Sequence, residues 1–327
     1  MRNLVNHFPE LLTSLKLNDQ VRDDLKKYAD EGTEGICFLG MGGSSIVGSY
    51  VEALLRDNVS KQIVIVRDYT IPAFVTKKWV VIAVSYSGNT EETLGALAVA
   101  KTIGARIITM TSGGIMARES NHLQISIPEG IQPRAALPLM FSAALPVVEI
   151  LVGFSMTNFE TLSEVLSQKA LTWDNKIRPP KALATSYMNK IPLFIGAQHL
   201  TPVAYRAKCQ INENAKALSF HSELPEANHN EIEGFRSTHG CKIMPIFLRS
   251  AFESDALRRK FDATEEIYKG MSLNTVNLAI EGKTKLEEML SFTHYLDMVS
   301  VEYADLLGAD PVSVDKITEL KHRLSKS

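Results

Sequence analysis

Short apolar runs alternate with longer helical stretches through the first half of the chain. Residues 35–39, 62–66, 80–84, 106–110 and 123–127 read as strands. Helices are predicted from the turn after Gly40 to Leu55 and over 90–103. Apolar runs of this length, without polar alternation, suit strands buried on both faces, as in a mostly parallel sheet covered by helices. The longest apolar stretch, 136–154, contains Pro138, Pro146 and Glu149. It reads as a buried helix rather than a membrane span.

The stretch 154–180 is helical in character and ends at Pro179-Pro180, a natural break. The pattern then restarts. Residues 191–196, 243–248 and 276–280 read as strands, and 201–217, 285–307 and 314–324 as helices. The expected fold is α/β, with two αβα sandwich subdomains built on mostly parallel sheets. Boundaries are expected at 1–153 and 181–327, with 154–180 as a helical connection. An internal duplication fits this layout, although residue identity between the halves is weak.

Composition narrows the function. A chain of 327 residues with a formal charge of −2 and no basic block offers no footprint for nucleic acid. Cys37, Cys209 and Cys241 form no CxxC pair, and an odd count argues against a disulfide framework. No basic segment followed by an apolar run opens the chain, so a cytoplasmic protein without membrane association is expected.

Two turns carry candidate chemistry. Gly40–Gly48 reads GMGGSSIVG, and 85–93 reads SYSGNTEET directly after an apolar strand. The first matches GxGxxG only in part, and Asp68 is poorly placed to hold a ribose, so no dinucleotide cofactor is expected. In the second, Ser85, Ser87 and Thr90 put several hydroxyls at a helix start. One of them capping the helix is the plain alternative. Hydroxyls, backbone amides and a helix N-terminus together suit a phosphate. No Walker lysine follows, which points to one phosphate on a small metabolite.

Three further residues stand out. Arg134, flanked by Pro133 and Pro138, is either a solvent charge or a placed guanidinium able to stabilise oxygen charge. Glu213 ends a helical face and cannot be told from a surface glutamate by sequence alone. His229 lies in EANHNEIEG, where Glu226 and Glu231 are close enough in sequence to orient an imidazole. Structural, acid–base and metal-ligand roles are all open to it. HExxH is absent and His221, His229 and His239 have no familiar ligand spacing, so no metal is expected.

GMGGSSIVG and SYSGNTEET resemble the sugar isomerase domain. Together with QPRAALP at 132–138, ENAK at 213–216, ELPEANHNEIEGF at 223–235 and DPVSVDKITELK at 310–321, they make the whole chain similar to the bifunctional phosphoglucose/phosphomannose isomerase family. The resemblance implies two sugar-isomerase-like subdomains and metal-independent interconversion of glucose 6-phosphate or mannose 6-phosphate with fructose 6-phosphate. It implies Glu213 as the base between C1 and C2, His229 in ring opening, Arg134 against the enediolate, and Lys321 near the ring oxygen. Lys316 competes with Lys321 for the last role. Gly42, Gly43, Ser44, Ser85, Ser87 and Thr90 are the implied substrate-binding set. The family is a homodimer with its site in a cleft between domains near the subunit interface, where the histidine can come from the partner subunit.

Other readings share the serine turn. They are a different sugar-phosphate isomerase or deaminase, and a non-catalytic sugar-phosphate sensor. Arg2 follows the initial Met where a glutamine-hydrolysing relative needs a cysteine. Residues 1–34 show no helix-turn-helix pattern of the kind a DNA-binding sensor carries.

Overall fold

A computed structural model describes residues 1–118, 122–154, 157–236 and 242–324; His239 and Cys241 lie outside them. The first half contains α1 (Arg2–Asn6), α2 (Phe8–Leu11), α3 (Asp19–Asp30), β1 (Gly35–Leu39), α4 (Gly42–Leu55), β2 (Gln62–Val66), β3 (Val80–Val84), α5 (Glu91–Thr102), β4 (Arg106–Thr111), β5 (Leu123–Ser126), α6 (Leu137–Val152) and α7 (Phe159–Ala170). There follow α8 (Trp173–Lys176), α9 (Pro180–Ser186), β6 (Ile191–Gly196), α10 (Thr201–Gln210), β7 (Phe220–Glu223), α11 (Glu231–Gly234), β8 (Ile243–Arg249), α12 (Asp255–Gly270), β9 (Val276–Ala279), α13 (Lys285–Leu307) and α14 (Asp315–Leu324).

The chain forms two compact units. One comprises Asn6–Lys169 with Lys285–Glu287; the other comprises Met1–Val5, Ala170–Thr284 and Glu288–Ser327. The first is built on a parallel sheet in the order β2-β1-β3-β4-β5. Cys37 pairs in register with Val64 on β2 and Val81 on β3. β1 and β3 are buried along their whole length, whereas the edge strand β2 is half-exposed.

Alternation sorts the core to two faces. Cys37, Leu39, Val81 and Ala83 share one cluster with Ala96, Leu97 and Ala100 of α5. Phe38 faces α4, where a side-chain carbon at Gly48 would stand 2.7 Å from its ring, so glycine permits the close approach. Tyr50 of α4 meets Phe141 of α6 edge-on at 6.0 Å. The apolar stretch is α6, buried almost throughout, and no described helix is long and apolar enough to cross a membrane. Cys37 and Cys209 are free thiols, and burial pushes Cys37 up to about 12.

The second unit is built on a parallel sheet in the order β7-β6-β8-β9, the same winding with one strand fewer. Leu193, Ile195 and Phe247 pack against Leu257, Phe261 and Tyr268 of α12. α10 and α13 are joined by a buried Arg206–Asp297 pair, with Nε–Oδ1 and Nη2–Oδ2 distances of 3.0 and 2.6 Å. The helix expected over 201–217 ends at Gln210, and Ile211–Ala215 form a π turn.

Candidate functional site

In an open parallel sheet, ligands gather beyond the carboxyl ends of the strands, where the strand order reverses. In the first unit that point lies between β1 and β3. Both strands lead into helices there. α4 has Met41 at its N-cap and α5 has Thr90, and neither cap side chain bonds its helix. First-turn amides and aligned peptide dipoles therefore face the carboxyl edge from two neighbouring helices.

The glycine turn is shaped by close quarters. A side-chain carbon at Gly40 would stand 3.0 Å from the Val84 carbonyl, and Gly42 has a φ of +52°. Gly43 lies beside the backbone of Arg134, 3.7 Å from its Cα when a side-chain carbon is built on it. The Ser44 hydroxyl donates to Met140 Sδ at 3.9 Å. Arg67, just past β2, donates to the hydroxyls of Ser45 and Ser49 at 3.0 and 2.8 Å, which brings positive charge to the start of α4.

In the serine turn, the buried Ser85 hydroxyl accepts the Gly88 amide at 3.1 Å and is bonded to the Thr90 hydroxyl at 2.9 Å. Thr90 occupies the cap position without performing the cap, so its hydroxyl serves the turn. Ser87 is exposed, and its Oγ accepts the Asn89 amide at 3.3 Å. Glu91 is exposed and Glu92 half-buried on the first turn of α5.

Arg134 is 5% exposed, in a short 3-10 turn ahead of α6. Tyr86 holds its loop: the phenol donates to the Pro128 carbonyl and accepts the Ile131 amide, both at 2.9 Å. The Tyr86 carbonyl accepts the Ser112 hydroxyl at 2.6 Å. One tyrosine thus joins the serine turn, the loop after β4 and the approach to Arg134.

In the second unit Glu213 is half-buried within the π turn. Such turns are often found at functional positions. Asn214 donates to Ser300 Oγ at 2.8 Å inside the core. Lys216, with a φ of +56°, donates to the carbonyls of Glu213, Asp310 and Ser313 at 2.6, 2.7 and 2.7 Å. This lysine ties ENAK to DPVS. The Asp310 carboxylate caps that loop by accepting the Val312 and Ser313 amides, which hold it below the usual carboxylate range.

His229 is exposed at the end of a 3-10 turn, Glu226–His229. The neighbouring carboxylates are engaged with other groups. Glu226 accepts Asn230 Nδ2 at 2.9 Å. Glu231 turns inward beside Ser222, and burial raises its pKa; among the described residues its buried Oε1 has no hydrogen-bond partner. Neither carboxylate therefore orients the imidazole in the manner the sequence suggested. Among the described residues no group of three or more His, Cys, Asp and Glu side chains is placed to hold a metal ion. Asp68 accepts the adjacent Tyr69 amide at 2.6 Å.

Chain direction separates Glu213 from His229. α10 starts after β6 and runs back along the sheet, so the π turn precedes β7 at the amino edge. His229 follows β7 at the carboxyl edge. The two thus flank β7 from its amino and carboxyl ends, a strand of four residues and roughly 13 Å. Lys321 is exposed on α14; Lys316, also exposed, pairs with Glu319 at 2.9 Å.

The first unit therefore gathers Gly42, Gly43, Ser44, Ser85, Ser87, Thr90 and Arg134 at one sheet edge. The second unit joins Glu213 to the 310–313 loop and sets His229 apart. Sequence reading missed Arg67, Tyr86 and Lys216. Tyr86 sits inside the serine motif and Lys216 inside ENAK, but their bonds reach segments more than forty and ninety residues away.

The SIS domain family model matches residues 32–152, and the family model described as bacterial phospho-glucose isomerase C-terminal SIS domain matches 176–324. The chain is similar to the bifunctional phosphoglucose/phosphomannose isomerase of Aquifex aeolicus, at 34% identity over 314 residues and 94% of each chain. It is also similar to the D-glucosamine-6-phosphate 4-epimerase of Sulfolobus acidocaldarius, at 33% identity over 283 residues, 78% of this chain and 86% of that one. The fold is similar to the crystal structure of tagatose-6-phosphate ketose/aldose isomerase from Escherichia coli, with a TM-score of 0.75 at 13% identity, covering 94% of this chain and 93% of that one.

Proposed function

The chain belongs to the bifunctional phosphoglucose/phosphomannose isomerase family of SIS-domain proteins, and from that membership we propose that it interconverts glucose 6-phosphate or mannose 6-phosphate with fructose 6-phosphate. The observation that carries the reading is the convergence of two side-chain-uncapped helix starts, the serine turn and buried Arg134 at one sheet edge. The phosphate ester sits on the amides of α4 and α5, with Ser44, Ser85, Ser87 and Thr90 around it. His229 moves the proton that opens the ring, and Lys321 stands near the ring oxygen. Glu213 takes the proton alpha to the carbonyl and returns it to the adjacent carbon. The guanidinium of Arg134 stabilises the negative oxygen of the cis-enediolate.

Glucose and mannose phosphates differ only at C2, and loss of the C2 proton gives the same planar intermediate. One base can serve both where the substrate rotates about its C2–C3 bond and turns either face of C2 toward it. The opposite-edge placement of Glu213 and His229 supports a homodimer in which a second copy supplies the histidine. Similarity to a glucosamine-phosphate epimerase supports a second reading, in which the sugar is an amino sugar phosphate.

The test follows solvent deuterium exchange at C1 and C2, with product analysis, for glucose, mannose, fructose and glucosamine 6-phosphates on chelator-treated protein. Exchange and interconversion of the first three are expected. Glu213→Gln should lower exchange by about 10²–10⁴-fold while leaving sugar-phosphate binding nearly intact. Wild-type exchange in that variant overturns the base assignment. Binding without exchange in the wild-type protein makes the chain a sensor.

A further inference from the structure

The two sheets wind the same way, so their turns can be matched. β1 corresponds to β6 and β3 to β8, each pair in the same place in its strand order. The residue directly after β3 is Ser85, and the residue directly after β8 is Ser250. Both hydroxyls accept a backbone amide from their own turn: Ser85 from Gly88 at 3.1 Å, and Ser250 from Phe252 at 2.9 Å. The turn after β6 contributes His199 where the turn after β1 contributes glycines and serines.

The second turn holds an anion already. Glu288, 0% exposed on α13, receives the Ser250 hydroxyl on Oε2 at 2.6 Å and the Ala251 amide on Oε1 at 2.8 Å. His199 Nε2 meets the same Oε2 at 2.6 Å. A side-chain hydroxyl, a backbone amide and an imidazole converging on one carboxylate form a cradle of the kind that binds oxyanions. His199 is 1% exposed, and its buried Nδ1 has no hydrogen-bond partner among the described residues. Glu288 thus holds the ring in the pocket through Nε2.

We propose that the turn after β8 is a second oxyanion cradle, built like the serine turn after β3 and filled from within by Glu288. The carboxylate occupies the place of a phosphate or other small oxyanion. Of the turns after β3 and β8, only the first is thereby open to an anion from solution. Removing Glu288 opens the second.

The experiment compares thermal unfolding of full-length wild-type protein and Glu288→Ala in inorganic phosphate and in chloride at equal ionic strength. The variant should gain about 4 °C more from phosphate than wild type does, at roughly a hundredfold excess over its Kd. Adding Ser250→Ala to the variant should abolish that extra gain. Equal phosphate responses of variant and wild type overturn the proposal. If Glu288→Ala does not fold in chloride, it is refolded from denaturant with and without phosphate. Recovery only with phosphate supports the cradle, and recovery in neither overturns it. Because the reading is a difference from wild type, failure of the first turn to bind phosphate would leave it unchanged.

Discussion

The hydroxyls of Ser85 and Thr90 are bonded to each other at 2.9 Å, although Thr90 stands at the cap position of its own helix. This pairing orients two hydroxyls toward the sheet edge before any ligand arrives. Thr90→Val keeps the shape and removes one of them. A rise in KM for a sugar phosphate of about ten- to a hundredfold is expected, with a smaller change in kcat, because a hydrogen bond to a charged group contributes about 1.5–3 kcal/mol. Steady-state kinetics will decide. A variant with unchanged KM would place the phosphate away from Thr90.

Gly88 makes a sharper demand. Its φ is +64°, and a side-chain carbon there would lie 1.9 Å from the Gly113 carbonyl. Both backbone conformation and space exclude alanine. Gly88→Ala should destabilise the protein by more than about 1 kcal/mol and raise KM along with it, since the turn after β4 must shift. Urea denaturation with parallel kinetics reads both. A stable variant of normal KM would show that the turn adapts without disturbing the ligand.

The buried strands β1, β3, β6 and β8 were legible because strands covered on both faces leave unbroken apolar runs. β7 was not: Phe220–Glu223 is a short, largely exposed edge strand, and its FHSE sequence has no apolar signature. α12 was passed over although Leu257, Phe261, Thr264 and Tyr268 follow a helical period. Its mostly polar sequence obscured the stripe. The helix through 201–217 was read too long because a π turn keeps helical composition while changing the hydrogen-bond step. At the site, Ser85 and Thr90 were visible as a motif, and Arg134 as a residue between prolines. The roles of Tyr86 and Lys216 depend on bonds to distant segments, which one sequence does not display.

Glu231 gives a pH dependence with a definite sign. Burial raises its pKa above the ordinary 4.5, opposed by Ser222. Burial and then the Glu231 carboxylate push the nearby Tyr268 phenol up. A carboxyl with a raised folded-state pKa contributes its stability below the unfolded value, and that contribution is lost as pH rises through the folded value. The stability of Glu231→Gln relative to wild type should therefore climb from pH 4.5 upward and level off above the folded pKa. Urea titrations from pH 4 to 8 measure the difference. A flat difference would mean that Glu231 is solvated equally in both states.

The strand-length separation of Glu213 and His229 leads to a test of assembly. In a homodimer whose sites each take the glutamate from one copy and the histidine from the other, two inactive variants repair each other. Glu213→Gln and His229→Ala are unfolded together and refolded as a mixture. Half of the dimers are then hybrids, each with one intact site and one doubly defective site, so about a quarter of wild-type activity should return. Each variant refolded alone should stay inactive. If the mixture is as inactive as its components while dimers form, both groups act within one chain and a rearrangement must bring them together.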